Sequence, residues 1–279
     1  MTDRASLGPV LITGCSTGIG AATAQYLAKK GHIVYATARN VDSLGDSVAA
    51  GATALPLDVT DEASMVQAVD TIVAEHGRVG ALVNNAGYGE YGAVEDVPID
   101  KVRRQFETNV FGLSRMCQLV LPSMRAAGAG RIVNIGSMGG RLTFPYGGYY
   151  HATKHAVEAL SDALRYEVRP FGVKVVLIEP GLIATEFGTT VSHTLGETLE
   201  DRSPYAAGSK RMDAMIDGMY KNKLLSVGPI AIAKTVEKSL TRRRPHARYV
   251  TPVVTRSLIG TRMAMTPKAW DAMLRVVVR

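Results

Sequence analysis

The chain has 279 residues, 46% of them hydrophobic and 20% charged, with a formal net charge of +7. That length and apolar content suit one large core and exclude a disordered or low-complexity protein. Two cysteines exclude a disulfide scaffold, no apolar run approaches the ~20 residues of a membrane span, and the amino end shows no basic-then-apolar leader, so a cytoplasmic protein is expected.

In chain order, short apolar runs predict strands from Val10 to Thr13, Ile33 to Ala38, Thr53 to Val59, Ala81 to Asn84, Arg131 to Ser137, Val173 to Glu179 and Arg248 to Val250. Helical patterns between them run from Gly20 to Lys30, Glu62 to His76, Lys101 to Ala126 and Tyr149 to Arg169. The alternation predicts an α/β fold: a doubly wound parallel sheet with helices on both faces. One domain over 1–279 is expected, with 186–225 as a substrate-loop region and 251–279 as a basic C-terminal extension.

The first strand runs into Thr13-Gly14-Cys15-Ser16-Thr17-Gly18-Ile19-Gly20 and then a helix. Backbone N–H groups at such a helix start carry partial positive charge, and missing side chains let a pyrophosphate approach closely. The spacing Thr-Gly-x-x-x-Gly-x-Gly differs from the usual Gly-x-Gly-x-x-Gly. Cys15 is expected as a small turn residue rather than a reactive thiol. The second strand ends Thr37-Ala38-Arg39-Asn40 without the acid that would hold adenosine ribose hydroxyls, and Arg39 offers a fork of donors suited to a 2′-phosphate. NADP(H) is therefore expected ahead of NAD(H), and no metal is expected.

Tyr150 and Lys154 stand four apart, on one face of a helix. A cation there favours the phenolate: bringing a tyrosine from ~10 to near neutrality takes roughly 4 kcal/mol of differential stabilisation. Ser137 ends the apolar run Ile132 to Gly136, and its hydroxyl is placed to hold a carbonyl oxygen that Tyr150 protonates.

The glycine turn Thr13 to Gly20, Asp58-Val59, Asn84-Asn85-Ala86-Gly87, Asn109, Ser137, Tyr150 with Lys154, and Pro180-Gly181 with Thr185 follow in an order that resembles the short-chain dehydrogenase/reductase family over roughly residues 8 to 250. The resemblance implies a Rossmann-type fold and a catalytic tetrad of Asn109, Ser137, Tyr150 and Lys154. It implies that Ser137 orients the substrate, Tyr150 is the acid or base, Lys154 lowers the phenol's pKa and binds the nicotinamide ribose, and Asn109 helps hold a water. Cofactor contacts are implied for Thr13, Gly14, Ser16, Thr17, Gly18, Ile19 and Gly20 of the turn, and for Arg39. Asp58 is implied at the adenine amino group beside Val59, and Asn85, Ala86 and Gly87 along the ribose; a buried capping role is the rival reading for Asn84 and Asn85. Pro180, Gly181, Ile183 and Thr185 are implied around the carboxamide.

Near these residues lie Met138, Phe144, Tyr146 and Phe187, expected with Ser137 and Tyr150 to contact substrate, while Met212, Met215 and Met219 recur at helical spacing and Tyr88 and Tyr91 follow the Asn-Asn-Ala-Gly run. A lipophilic ketone, aldehyde or alcohol fits such a lining, and within the family the chain is similar to members acting on retinoids and steroids. Residues 242–279 hold nine Lys/Arg and one acid, Asp271. Thr266 is placed to cap a helix begun by Pro267, with Trp270, Met273, Leu274 and Val277 on one face. Packing on its own domain or on a partner subunit is the favoured role of this tail, ahead of peripheral membrane contact, and no nucleic-acid-reading motif accompanies its charge. Small residues Ala152, Ala156, Ala159 and Ala163 on the tyrosine helix, with the resemblance, suggest a homodimer or homotetramer. Two other functions stay open: a catalytically silent dinucleotide-sensing protein of the same fold, and an epimerase or dehydratase that shares the Tyr-x-x-x-Lys pair.

Overall fold

The computed structural model describes residues 7–197, 203–222 and 225–277. Seven parallel strands form the central sheet in the order β3-β2-β1-β4-β5-β6-β9: β1 Val10–Ile12, β2 Val34–Ala38, β3 Thr53–Pro56, β4 Ala81–Asn84, β5 Gly130–Ile135, β6 Val173–Pro180 and β9 Arg248–Thr251. A separate two-stranded ribbon pairs β7 Leu182–Ile183 with β8 Ser226–Val227. The helices are α1 Gly18–Lys29, α2 Gly45–Ala49, α3 Glu62–His76, α4 Ile99–Phe106, α5 Leu113–Ala126, α6 Gly148–Glu167, α7 Glu186–Glu197, α8 Ala206–Lys221, α9 Ile230–Thr241, α10 Val253–Ala264 and α11 Pro267–Val277.

Strand residues divide by parity between two cores. Val10 and Ile12, Val34 and Ala36, Val83, Val133 and Ile135, and Val176 and Ile178 face α1 and α9. Their neighbours Leu11, Tyr35, Leu82, Ile132, Val175 and Leu177 face α3, α5 and α6. Because both faces are covered, the strands are apolar at nearly every position, which is why they read as continuous runs. Strand order reverses between β1 and β4, so the chain splays there and leaves a crevice at the carboxyl ends of the strands.

The observed elements depart from the sequence expectation in instructive places. The third strand stops at Pro56, which has no N–H for the ladder, although Leu57 N–H still donates to Ala38 O at 3.0 Å. The helix expected from Lys101 to Ala126 begins at Ile99 and is interrupted by a π-helical turn, Glu107–Gly112. Gly112 ends the turn against another element: a Cβ there would meet the Val59 carbonyl oxygen at 2.3 Å, so only glycine lets the two backbones approach. Among the described residues, no helix is long and apolar enough to cross a membrane.

The basic tail folds back onto its own chain. Thr266 accepts a hydrogen bond from Ala269 N–H at 3.3 Å, and Trp270 is buried, donating to Thr143 O at 3.4 Å and packing 6.0 Å from the Phe144 ring. Met273 and Leu274 join the same cluster, and the side chain of Val277 lies outside the described residues.

Candidate active site

A cavity of about 1530 Å³ opens at the crevice and collects most of the singled-out residues into one place. Its lining includes Gly14, Ser16, Thr17, Gly18 and Ile19 of the turn, Arg39, Asp58 and Val59, Asn85 to Gly87, and Pro180, Gly181, Ile183 and Thr185. Gly18, at φ +62, faces Thr185 with room to spare: an added Cβ would sit 3.6 Å from the threonine side chain.

Two turn residues expected at the cofactor stand behind it instead. Thr13 is buried and its hydroxyl accepts from Asn85 N–H and Ala86 N–H, both at 3.0 Å, so it clamps the turn to the strand that follows. Gly20 is a packing glycine, since a Cβ would lie 2.1 Å from the Gly14 oxygen and 2.5 Å from Asn85 Nδ2. Neither lines the cavity. Asn85 side-chain N–H groups donate to Thr13 O at 2.9 Å and Gly14 O at 2.8 Å. Asn84 lies deeper, donating to Asn134 Oδ1 at 3.0 Å. Cys15 is buried with its thiol pushed up to about 12 by burial, an inert turn residue.

The dinucleotide cradle passes a direct test of fit. The Thr17 side chain makes no cap hydrogen bond, leaving first-turn N–H groups of α1 to a ligand. A Cβ on Gly14 would stand 2.8 Å from Ala86 Cα, so only glycine allows these two segments to approach. Arg39 is exposed and makes no ion pair or hydrogen bond with a described residue.

Ser137, Tyr150 and Lys154 line the same cavity, with Tyr150 and Ser137 in hydrogen-bond contact. Tyr150 is buried, and burial drives its phenol well above the ordinary tyrosine value, opposed by a hydrogen bond with Ser137. Lys154 Nζ donates to Ile135 O at 3.0 Å and lies 5.9 Å from the Tyr150 ring centroid. Burial also pulls this ammonium down to about 8. Burial is the largest influence on both groups, favouring the neutral phenol at Tyr150 and the neutral amine at Lys154. Asn109 sits within the π turn, out of the cavity. Its Nδ2 donates to Tyr88 O at 2.8 Å and its Oδ1 accepts from Tyr88 N–H at 3.1 Å, fixing the strand-to-helix loop above the lysine.

The rest of the lining mixes charged side chains, Glu90, Lys101, Arg104 and Glu107 among them, with apolar ones. Met138, Phe144 and Phe187 line the cavity, joined by Met212, Met215 and Met219 from α8. Tyr146 does not: its φ of +63 turns the side chain toward Gly208 of α8, one layer back. The sequence reading missed Val191, Ile216, Tyr220 and His151 at this wall. The 212-215-216-219-220 spacing of α8 carried a helical-face signal for two of them.

A model of the family described as short chain dehydrogenase matches residues 9–196. The chain belongs to the short-chain dehydrogenase/reductase family. It is 40% identical over 236 residues to a 3-ketodihydrosphingosine reductase of Bacteroides thetaiotaomicron, covering 85% of this chain and 84% of that protein. Identity to an NADPH-dependent 3-dehydrocapnine reductase of Ornithobacterium rhinotracheale is 36% over 251 residues, 86% of each chain. A short-chain dehydrogenase structure from Streptomyces avermitilis superposes with TM-score 0.78 at 30% identity, over 96% of this chain and 94% of that one. As a short-chain dehydrogenase/reductase, the protein is an oxidoreductase acting on CH–OH groups, and its cradle is that of a nicotinamide dinucleotide.

Proposed function

We propose that the protein is a cytoplasmic NADPH-dependent reductase of a lipophilic ketone or aldehyde, with Tyr150 as the proton donor. One observation carries the reading: Tyr150 and Ser137, in hydrogen-bond contact, share one cavity with a wall of Met212, Met215, Met219 and Phe187. That wall takes an alkyl body, and the hydroxyl pair takes the carbonyl oxygen. Segments 186–225 and 251–279 act in this reading as substrate wall and as its backing, through Trp270 against Phe144. The names of the two relatives, 3-ketodihydrosphingosine and 3-dehydrocapnine reductases, favour a long-chain ketone. Arg39 after Ala38, together with the second relative's NADPH dependence, favours the phosphorylated dinucleotide.

Reduced nicotinamide supplies a hydride to the carbonyl carbon when bound. The chain's own residues handle the oxygen. Ser137 and Tyr150 donate to it, and as negative charge develops the phenolic proton moves across, leaving phenolate at Tyr150. The Lys154 ammonium, near enough to its titration point to exchange its proton at neutral pH, then stabilises that phenolate.

Purified protein oxidises NADPH on a panel of long-chain ketones and aldehydes, and Tyr150→Phe lowers kcat by about 10³-fold or more while still binding NADPH. No turnover on any member by the unaltered protein sinks the reductase reading.

A further inference from the structure

Outside the cavity lies an ion cluster, centred on two buried carboxyls, that the chemistry does not touch. Arg248, at the start of β9, donates from Nη1 to Glu158 Oε2 and, at 2.8 Å, to Glu179 Oε1, and from Nη2 to Asp162 Oδ2 at 2.5 Å. Arg141 Nη1 stands 3.8 Å from the same Glu158 oxygen and 3.7 Å from that of Glu179. Glu158 and Glu179 are 7% and 2% exposed, so these charges depend on each other rather than on water. Arg165, from the next turn of α6, takes the other Asp162 oxygen at 2.6 Å. None of the six residues, Arg141, Glu158, Asp162, Arg165, Glu179 and Arg248, lines the cavity.

The residues that Arg248 gathers from other elements belong to segments that carry site residues. Glu158 follows Lys154 by one turn and Tyr150 by two on α6. Glu179 immediately precedes Pro180 and Gly181, which line the cavity. Arg141 ends the short turn that begins at Ser137. That turn lies hard against α6: a Cβ on Gly140 would come 2.8 Å from both the Lys154 carbonyl oxygen and Glu158 Cγ. Packing this close passes a displacement of Glu158 directly to the Ser137 turn.

We infer that Arg248 is a positioning residue for catalysis, holding the Ser137 turn, the Tyr150–Lys154 helix and the Pro180–Gly181 wall in mutual register through Glu158, Glu179 and Arg141. The inference rests on the oxidoreductase reading above and extends it to a residue outside the cavity. Burial and the neighbouring Glu179 hold the Glu158 carboxyl up, to about 7, against the pull of Arg248. Removing the guanidinium removes the pull that keeps Glu158 ionised: where the pair stays charged, two buried carboxylates repel with only Arg141 farther off, and where Glu158 takes up a proton, the fork that ties both carboxyls to β9 is still lost.

The test compares Arg248→Met, the double variant Arg248→Met/Glu158→Gln, and the unaltered protein, on ketone turnover, NADPH titration by fluorescence and amide hydrogen exchange. Arg248→Met is expected to lower kcat by about 10–100-fold, the scale of a misplacement near 1 Å, with NADPH Kd changed less than about twofold. The double variant, freed of the repulsion, is expected to recover at least about threefold of that kcat. Lowering pH from about 8 to about 6 is expected to narrow the gap between Arg248→Met and the unaltered protein, because protonating Glu158 relieves the same repulsion. Exchange in residues 137–141 and 148–156 is expected to quicken in the single variant and return in the double. Should Arg248→Met not fold, Arg248→Lys, which keeps a charge but lacks the fork, takes its place. Unchanged kcat in the single variant, or equal losses of kcat and NADPH binding without rescue, overturns the inference. An unaltered protein that turns over no ketone strikes the parent reading instead, and the exchange data then decide: unchanged exchange at 137–141 overturns the positioning role on its own.

Discussion

Lys154 works against the fold and for the chemistry. Its ammonium is 8% exposed and its pKa is pulled from the usual 10.5 to about 8 by burial. A lysine depressed in the folded state contributes full stability above the unfolded value and loses it as pH falls through the folded one. Between 8 and 10.5 the unfolded chain binds the extra proton, so stability rises with pH there, by about 3 kcal/mol in all. Lys154→Met removes that burden: turnover falls below detection, Tm at neutral pH rises by a few degrees, and the pH slope between 8 and 10.5 flattens. Thermal unfolding across this window checks the sign, and an unaltered slope removes the argument. Arg39 makes the second residue-scale prediction. Exposed and without an ion-pair or hydrogen-bond partner among the described residues, it is placed to select a 2′-phosphate, so Arg39→Asp weakens NADPH binding by about tenfold or more and brings NADH level or ahead. Equal NADPH and NADH affinities in the unaltered protein contradict it.

At the scale of elements, α11 is the clearest case of a distant segment shaping the cavity. Trp270 is 4% exposed and backs Phe144, which lines the cavity. Trp270→Ala removes a buried ring, costs about 3 kcal/mol of stability, and raises KM for a lipophilic ketone several-fold while NADPH affinity holds. Parallel loss of NADPH affinity would place the effect elsewhere. The helix was legible because Thr266 and Pro267 mark its start and a single apolar face follows. The same holds for α3, read to the residue: Asp61 Oδ1 accepts from Ala63 N–H at 2.9 Å and Gly77 closes it at φ +76. Other elements lacked such punctuation. The π turn at Glu107–Gly112 is hidden inside an unbroken helical pattern, and its contact with Val59 belongs to another element that local spacing does not reveal. Helix α9, behind Pro229 and without a side-chain cap, went unread. At the site, the glycine turn and Tyr150 with Lys154 stand out because their chemistry lies within a few residues. Tyr146, next to them in sequence, is turned away by a backbone angle that no spacing reveals, and the phenol's shift depends on burial, which only the fold sets.

At the scale of the whole molecule, α6 has two faces with different fates. One buries Tyr150, Lys154, Val157 and Ser161 against the sheet. The other leaves Ala152, Ala159 and Ala163 exposed beside Leu160 at 39% and Tyr166 at 81%, and the adjoining π turn exposes Phe111 at 55%. Apolar surface on the very helix that carries the acid is unusual for a monomer, and its small residues permit close helix approach. We propose a homo-oligomer across this face, in which the partner stiffens the catalytic helix from outside. Sedimentation velocity then finds a species of about 60 or about 120 kDa rather than the 29.8 kDa chain. Ala159→Arg, which inserts a charge at the centre of the stripe without touching the cavity, shifts the protein toward 29.8 kDa and slows turnover as α6 loses its support. A single 29.8 kDa species for the unaltered protein removes the oligomer, and with it any share of the partner in holding Tyr150.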